Sequence, residues 1–247
     1  MTLTKEGLAI LDKFDFDIKP VGVKFLVKRP DAIDRLKKTM TLCEMLRWAQ
    51  KGNVFYADPG NHTCDAGLYV LGQTDISEPY INGEYGTGLG VYDSPRSASR
   101  LYLHVSKIDK GVVNYIAFSP LDKLTFEVDI LVITATNRQA EILLRAMSYK
   151  TGDMWLSKYT AAIGCSWILI YPYLSGEMNY ITTGLGFGMR RRKLFPEGLH
   201  LISIPFDLLP SLLQTLRDMP WVPEPYKPYG LEYVRKLRIE LGLDSPT

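Results

Sequence analysis

The chain has 247 residues, of which 46% are hydrophobic and 23% charged, and its formal net charge at pH 7 is +2. These values are typical of a globular protein, and so small a net charge argues against nucleic acid or an anionic membrane as a partner. The first residues lack the hydrophobic segment of a signal peptide, and the strongest apolar run, around residues 168–170, is broken by Pro172 and is too short to cross a bilayer. We therefore expect a cytoplasmic protein.

The first half of the chain has the pattern of alternating helices and strands. Residues 4–14 predict an amphipathic helix capped by Thr4, and residues 21–27 predict a strand. The sequence then predicts, in chain order, a short helix from Asp31, a helix at 41–50, a strand at 53–57 and a turn at 58–61. After these it predicts a helix from Cys64 to Gly72, a surface excursion at 73–100, and strands at 101–105 and 112–118.

The second half opens with a near-continuous apolar run over residues 128–134, which is typical of a central strand covered on both faces. Further elements are expected as a helix at 138–149 capped by Asn137, a strand at 154–159, a helix at Cys165, strands at 178–182 and 199–204, a helix at 206–216 interrupted by Pro210, a proline-rich connector at 221–228 and a helix at 231–241. Because strands and helices alternate without a regular βαβ series, the predicted fold class is α+β or mixed α/β.

Several features of the first half recur in the same order in the second. Gly52 and Gly152 each follow a helical segment that carries a Leu-Arg pair, Cys64 and Cys165 follow them at almost the same spacing, and Thr-Gly-Leu-Gly comes next in both. This order predicts two related half-domains around a pseudo-twofold axis. The expected divisions are an N-terminal helix at 1–19, α/β repeats at 20–124 and 125–218, and a C-terminal helical extension at 219–247.

The cysteines are the residues most relevant to chemistry. The sequence contains three, Cys43, Cys64 and Cys165, without a Cys-x-x-Cys pair, which argues against a zinc ribbon or a thioredoxin-type dithiol. Cys64 and Cys165 lie where helices are expected to begin, a position that favours a thiolate. Three converging thiolates would suit an iron–sulfur cluster with one open iron position. Simple packing of buried thiols, or a nucleophilic Cys64 near His62, are alternatives that the sequence leaves open.

Glycine-rich segments and an arginine run indicate a second kind of site. Glycine lets backbone amides approach an anion closely, and guanidinium groups pair with carboxylate or phosphate. Structural turns and a solvated basic run would explain the same pattern. The candidate residues are Gly88, Gly90, Gly184, Gly186, Arg190, Arg191 and Arg192.

Several short stretches together resemble the domain of unknown function 169 family. They include Val21-Gly-Val-Lys-Phe-Leu, Leu42-Cys43-Glu44, Cys64 with Gly67, Phe118-Ser-Pro-Leu-Asp, Ser148-Tyr149-Lys150, Cys165-Ser166 and Ile202-Ser-Ile-Pro205. The resemblance spans about residues 20–217 and implies a cytosolic protein of bacteria or archaea, often anaerobic ones, without implying an activity. It supports Cys43, Cys64 and Cys165 as family positions. The sequence departs from the family pattern at Met189-Arg190.

The leading functional prediction is a metal or iron–sulfur cluster binding protein, redox-linked, with Cys43, Cys64 and Cys165 as ligands between the two halves. The alternative is a small-molecule binding protein that holds an anionic ligand through the glycine loops and the arginine run. The expected partner is a small molecule or a redox protein, and the sequence does not decide whether the protein is an enzyme.

Overall fold

A computed structural model describes residues 8–245 of the chain. Its centre is one six-stranded sheet in which every neighbouring pair is antiparallel, in the order β2-β3-β1-β4-β6-β5. The strands are β1 (Val21–Leu26), β2 (Phe55–Ala57), β3 (Tyr115–Pro120), β4 (Ile130–Ala135), β5 (Asn179–Thr182) and β6 (His200–Pro205). The fold is therefore mixed α/β, as predicted.

Helices connect these strands and cover both faces of the sheet. The α-helices are α1 (Leu42–Gln50), α2 (Asp65–Val70), α3 (Glu78–Ile81), α4 (Glu84–Gly88), α5 (Pro95–Ser99), α6 (Leu101–His104), α7 (Asn137–Ser148), α8 (Tyr171–Ser175), α9 (Phe187–Arg191), α10 (Leu209–Asp218) and α11 (Gly230–Glu240). Short 3₁₀ segments span Ala9–Phe14, Pro59–Asn61, Leu121–Lys123, Phe206–Leu208 and Glu224–Tyr226, and a π-helical segment spans Ser166–Ile170.

The alternation of side chains along the strands divides the core into two layers. Ile130 and Val132 of β4 belong to the layer that includes α1 and the π-helical segment. Leu131 and Ile133 belong to the opposite layer, with α7 and α10. Because successive side chains of a strand point to opposite faces, the apolar run of β4 supplies both layers at once. This confirms the prediction of a central strand covered on both faces.

Local sequence signals fix the ends of the two longest connecting helices. Thr41 and Glu44 form a reciprocal capping box at the start of α1, and Thr136 and Gln139 form one at the start of α7. Each box satisfies two backbone N–H groups that would otherwise lack partners. The cap of α7 is therefore Thr136 and not Asn137, which is already helical.

Several predicted elements are wrong or differ in extent. No helix follows Asp31, where residues 31–40 form bends and isolated bridges, and residues 154–159 form no strand. Residues 101–104 are helical, not extended, and the surface excursion at 73–100 contains three short helices. Pro210 lies in the first turn of α10, where a missing N–H costs nothing, so it does not interrupt the helix. Of the helix predicted at 4–14, residues 4–7 lie outside the described residues and residues 9–14 form a 3₁₀ segment.

The predicted internal duplication is not confirmed. The spatial order of strands is similar in the two halves, with β1 and β4 side by side at the centre. However, α1 packs on one face of the sheet and α7 on the other. A twofold axis that exchanges the antiparallel strands β1 and β4 must run perpendicular to the sheet. Rotation about such an axis leaves each helix on the same face of the sheet. It therefore does not superpose α1 on α7, which lie on opposite faces.

The C-terminal helix α11 is present as predicted and lies mostly exposed, with Leu231 at 91% exposure. Within residues 8–245, no helix is both long enough and apolar enough to span a membrane.

Candidate functional site

Cys43 is positioned by the start of α1. The hydroxyl of Thr41 accepts a hydrogen bond from the backbone N–H of Glu44, and the Glu44 carboxylate accepts one from the backbone N–H of Thr41 at 2.8 Å. Cys43 therefore stands in the first turn of a helix whose entry is fixed, and its side chain is half-buried. The helix is anchored at its other end by Gln50, whose side-chain amide donates to Thr134 Oγ1 of β4 at 2.7 Å.

Cys64 is the N-cap residue of α2, so the prediction of a cysteine at a helix start is confirmed here. A Cβ on Gly67 would lie 3.4 Å from Cβ of Leu42, so α2 packs directly against the residue that precedes Cys43. Burial and then the neighbouring Cys165 raise the pKa of Cys64, although nearby backbone N–H groups of α2 and Arg192 act in the opposite direction. The helix start alone therefore does not produce a thiolate.

Cys165 lies at a conformationally strained point of the chain. Ile163 adopts a left-handed backbone with φ of 56°, which is unfavourable for a β-branched residue and costs on the order of 1–3 kcal/mol. Gly164 follows, and then Cys165 leads into the π-helical segment Ser166–Ile170. π-Helical turns are uncommon and often occur at functional sites. The Cys165 side chain is buried with 5% exposure.

Cys165 interacts with both other cysteines. A hydrogen-bonding interaction with the Cys43 thiol, followed by burial, raises the pKa of Cys165 well above its ordinary value. After burial, electrostatic repulsion from Cys165 contributes most to the raised pKa of Cys64. In residues 8–245, no group of three or more His, Cys, Asp or Glu side chains is arranged to hold a metal ion directly. Cys43 and Cys165 thus interact directly and Cys64 is influenced by Cys165, but the three side chains do not form a coordination sphere.

Tyr159 completes this cluster, and sequence reasoning missed it. Burial, followed by the charges of Cys43 and Cys165, raises the pKa of Tyr159. Its hydroxyl is buried and has no hydrogen-bond partner among the described residues. A Cβ on Gly186 would lie 1.7 Å from this oxygen, so the absence of a side chain at Gly186 is what admits the Tyr159 ring.

A cavity of about 210 Å³ opens beside Cys64. Its walls carry four tyrosines, Phe187, two arginines and Asp65. Burial, followed by Tyr85, raises the pKa of Tyr80 to about 12, and burial also raises the pKa of Tyr102. These phenols stay protonated near neutral pH, so the cavity offers aromatic surface, hydroxyl donors and a thiol at one wall. The tyrosines are Tyr80, Tyr85, Tyr92 and Tyr102.

The arginine run does not act as one cluster. Arg191 and Arg192 line the cavity beside Cys64, whereas Arg190 lines a different cavity on the other side of α9. Arg190 also lies 3.8 Å from the carboxylate of Glu197. Only two of the three predicted arginines are therefore near the cysteines.

The four candidate glycines have separate roles. Gly88 ends helix α4, and a Cβ on Gly88 or Gly90 would meet nothing within 4 Å. Gly184, with φ of 86°, forms a turn beside Glu197, and Gly186 packs under Tyr159. The structure does not bring the two glycine pairs into one anion nest, and the first pair is not a loop.

His62 does not form a catalytic pair with Cys64. Burial lowers the pKa of His62 to about 4, so the ring is neutral near neutral pH. Both ring nitrogens are buried, and neither has a hydrogen-bond partner within the described part of the chain. An imidazole that activates a thiol needs such a bond, so this geometry does not support the nucleophile hypothesis.

A comparison with known protein families identifies the family of this chain. A family profile described as DUF169, uncharacterised ArCR, matches residues 9–215. The chain belongs to this family. The match includes Cys43, Cys64 and Cys165 and ends before α11, so the helical extension lies outside the family region. No curated protein and no solved structure matches the chain.

Proposed function

We propose that this DUF169 chain binds a metal ion or an iron–sulfur cluster in a redox-linked role, with Cys43, Cys64 and Cys165 as the ligands. The proposal is supported by the interactions of Cys165 with the other two cysteines of the sequence, since Cys43 packs against the core cluster that contains Cys165 and Cys165 raises the pKa of Cys64. The three cysteines come from the first turn of α1, the cap of α2 and the start of the π-helical segment.

Thiolates are the ligands that iron–sulfur clusters, zinc and copper(I) prefer. Because the sulfurs do not yet form a coordination sphere, binding requires side-chain rotation and loss of the thiol protons. The segment that carries Cys165 is suited to such an adjustment, since it stores backbone strain at Ile163 and continues as a π-helix.

The cavity beside Cys64 supplies access to one side of the proposed centre. Cys64 lines the cavity, whereas Cys43 and Cys165 do not line it. Three protein ligands leave a coordination position open, and an open position is what distinguishes reactive metal sites from purely structural ones. Arg191 and Arg192 at the cavity wall would favour an anionic small molecule as the group that reaches this position.

The test is anaerobic purification followed by quantification of iron, acid-labile sulfide and zinc per chain, before and after reconstitution with iron and sulfide. We expect stoichiometric metal in the natural protein and a loss of most of it in Cys43→Ser, Cys64→Ser and Cys165→Ser. Thr63→Val is the matched control, because Thr63 lines the same cavity next to Cys64 but offers no sulfur. A protein that stays colourless and free of metal after reconstitution contradicts the proposal.

A further inference from the structure

A second cavity, of about 580 Å³, lies on the other side of α9. It is lined by Arg47 from α1 and by the segment that follows the turn at Gly184, and it shares no lining residue with the cavity beside Cys64. Its lining combines apolar and charged side chains. The apolar residues are Met189, Leu194, Phe195 and Pro196.

The charged side chains of the lining carry an excess of positive charge. Arg47, Arg190 and Lys193 line the cavity together with one carboxylate, that of Glu197. Glu197 lies 3.8 Å from Arg190, and both side chains are more than two-thirds exposed, so this pair is weak. Arg47 donates to the side-chain oxygen of Gln50 at 3.1 Å, which restrains its guanidinium beside the cavity that it lines. Three basic side chains and one carboxylate leave a net charge of +2 on the lining, which a ligand with two negative charges would neutralise.

The backbone at Lys193 strengthens this assignment. The helix α9 ends in a Schellman motif, with Leu194 N–H donating to the carbonyl of Met189 and Lys193 N–H donating to that of Arg190. Lys193 takes the left-handed position of the motif with φ of 50°. Glycine is the residue best suited to this conformation. The lysine is therefore conformationally unfavourable here, and it is one of the basic residues that line the cavity.

We propose that this second cavity binds a phosphate monoester, with its dianionic phosphate held by Arg47, Arg190 and Lys193 and its apolar body against Phe195 and Leu194. Guanidinium forks pair with phosphate oxygens in two parallel hydrogen bonds, and the lysine adds a point charge. The site is separate from the cysteine cluster, so its test does not depend on the metal proposal.

Calorimetric titration with phenyl phosphate, phenyl sulfate and inorganic phosphate tests the assignment. We expect phenyl phosphate to bind more tightly than phenyl sulfate, which carries a single charge, and more tightly than inorganic phosphate, which lacks the apolar body. Arg47→Met should weaken binding of phenyl phosphate about tenfold, since it removes a charge-assisted hydrogen-bonding group.

Lys193→Gly provides the sharper variant, because the two expected effects have opposite signs. It should weaken binding about fivefold and yet raise the thermal unfolding midpoint of the ligand-free protein by about 2 °C. Asp15→Gly is the matched control, because Asp15 also occupies a left-handed helix end with φ of 50°. It should raise the midpoint similarly without changing the affinity. Absence of binding, equal binding of the three anions, or affinities unchanged in both Arg47→Met and Lys193→Gly would overturn the proposal.

Discussion

The buried hydroxyl of Tyr159 gives the most specific stability prediction. This oxygen has no hydrogen-bond partner among the described residues, and burying a polar group without a partner costs about 1–3 kcal/mol. Tyr159→Phe removes the oxygen and keeps the ring. We therefore expect the metal-free protein to gain about 1 kcal/mol in its free energy of unfolding, which corresponds to roughly 2–4 °C in the unfolding midpoint for a chain of this size.

A second substitution tests whether the geometry around this hydroxyl is correct. A Cβ on Gly186 would lie 1.7 Å from Tyr159 Oη and 3.0 Å from Cζ, whereas the Gly186 backbone, with φ of −68°, accepts alanine without strain. Gly186→Ala should therefore cost about 1–3 kcal/mol through overpacking alone. In the Tyr159→Phe background the closest contact is gone, so the cost should fall by at least about 1 kcal/mol.

Urea unfolding under reducing, metal-free conditions measures the free energy of unfolding of the natural protein, the two single variants and the double variant. Tyr226→Phe serves as the control because Tyr226 is 67% exposed. The control should change stability very little. If Tyr159→Phe destabilises the protein, or if the two substitutions are additive, the reasoning about this contact is refuted.

Three further predictions concern elements that support the cysteines. Thr41→Ala removes the capping box of the helix that carries Cys43 and should cost about 1 kcal/mol in chemical denaturation. Thr134→Val leaves the buried amide of Gln50 without its 2.7 Å partner and should cost about 1–3 kcal/mol in the same assay, whereas an unchanged midpoint would contradict the role of this bond. The Arg35 hydrogen bond lowers the pKa of Asp58, so the folded state binds fewer protons than the unfolded state, and the stabilisation is present above the ordinary Asp pKa and lost as the pH falls through the lowered value. Asp58→Asn should remove this acid-dependent loss of stability. The loss should stay below about 1 kcal/mol because Arg35 is half-exposed. Unfolding midpoints of both proteins between about pH 6 and pH 3, which spans the titration range of Asp, measure the difference.

The sequence predicts best where one local signal decides the structure. The apolar run of β4 is typical of a strand covered on both faces, which it forms, and the turn before Cys64 predicts this residue at a helix start, where it lies. Residues 101–105 show the limit of such patterns. Leu101 and Val105 are buried and Leu103 is 79% exposed, which follows from helical spacing, although apolar residues at every second position also suggest a strand.

Residues 154–159 form no strand, and the backbone of Lys158 has a side chain as its partner instead. The side chain of Asn179 donates to the carbonyl of Lys158 and accepts from its N–H, both at 2.9 Å. The side chain of Asn179 thus takes the place of the backbone hydrogen bonds of a neighbouring strand. No pattern within the segment itself could reveal this. The same holds for the site, because the meeting of Cys43 with Cys165 and the gap at Gly186 that admits Tyr159 depend on contacts between distant parts of the chain.

The central claim is that the three cysteines bind one metal centre. X-ray absorption spectroscopy at the edge of the metal that the anaerobically reconstituted protein takes up tests it most directly. We expect a first shell dominated by sulfur at about 2.3 Å, with a lower sulfur count in Cys64→Ser and an unchanged shell in Thr63→Val. A first shell of oxygen and nitrogen alone, or a sulfur count that is indifferent to all three cysteine substitutions, would contradict the account.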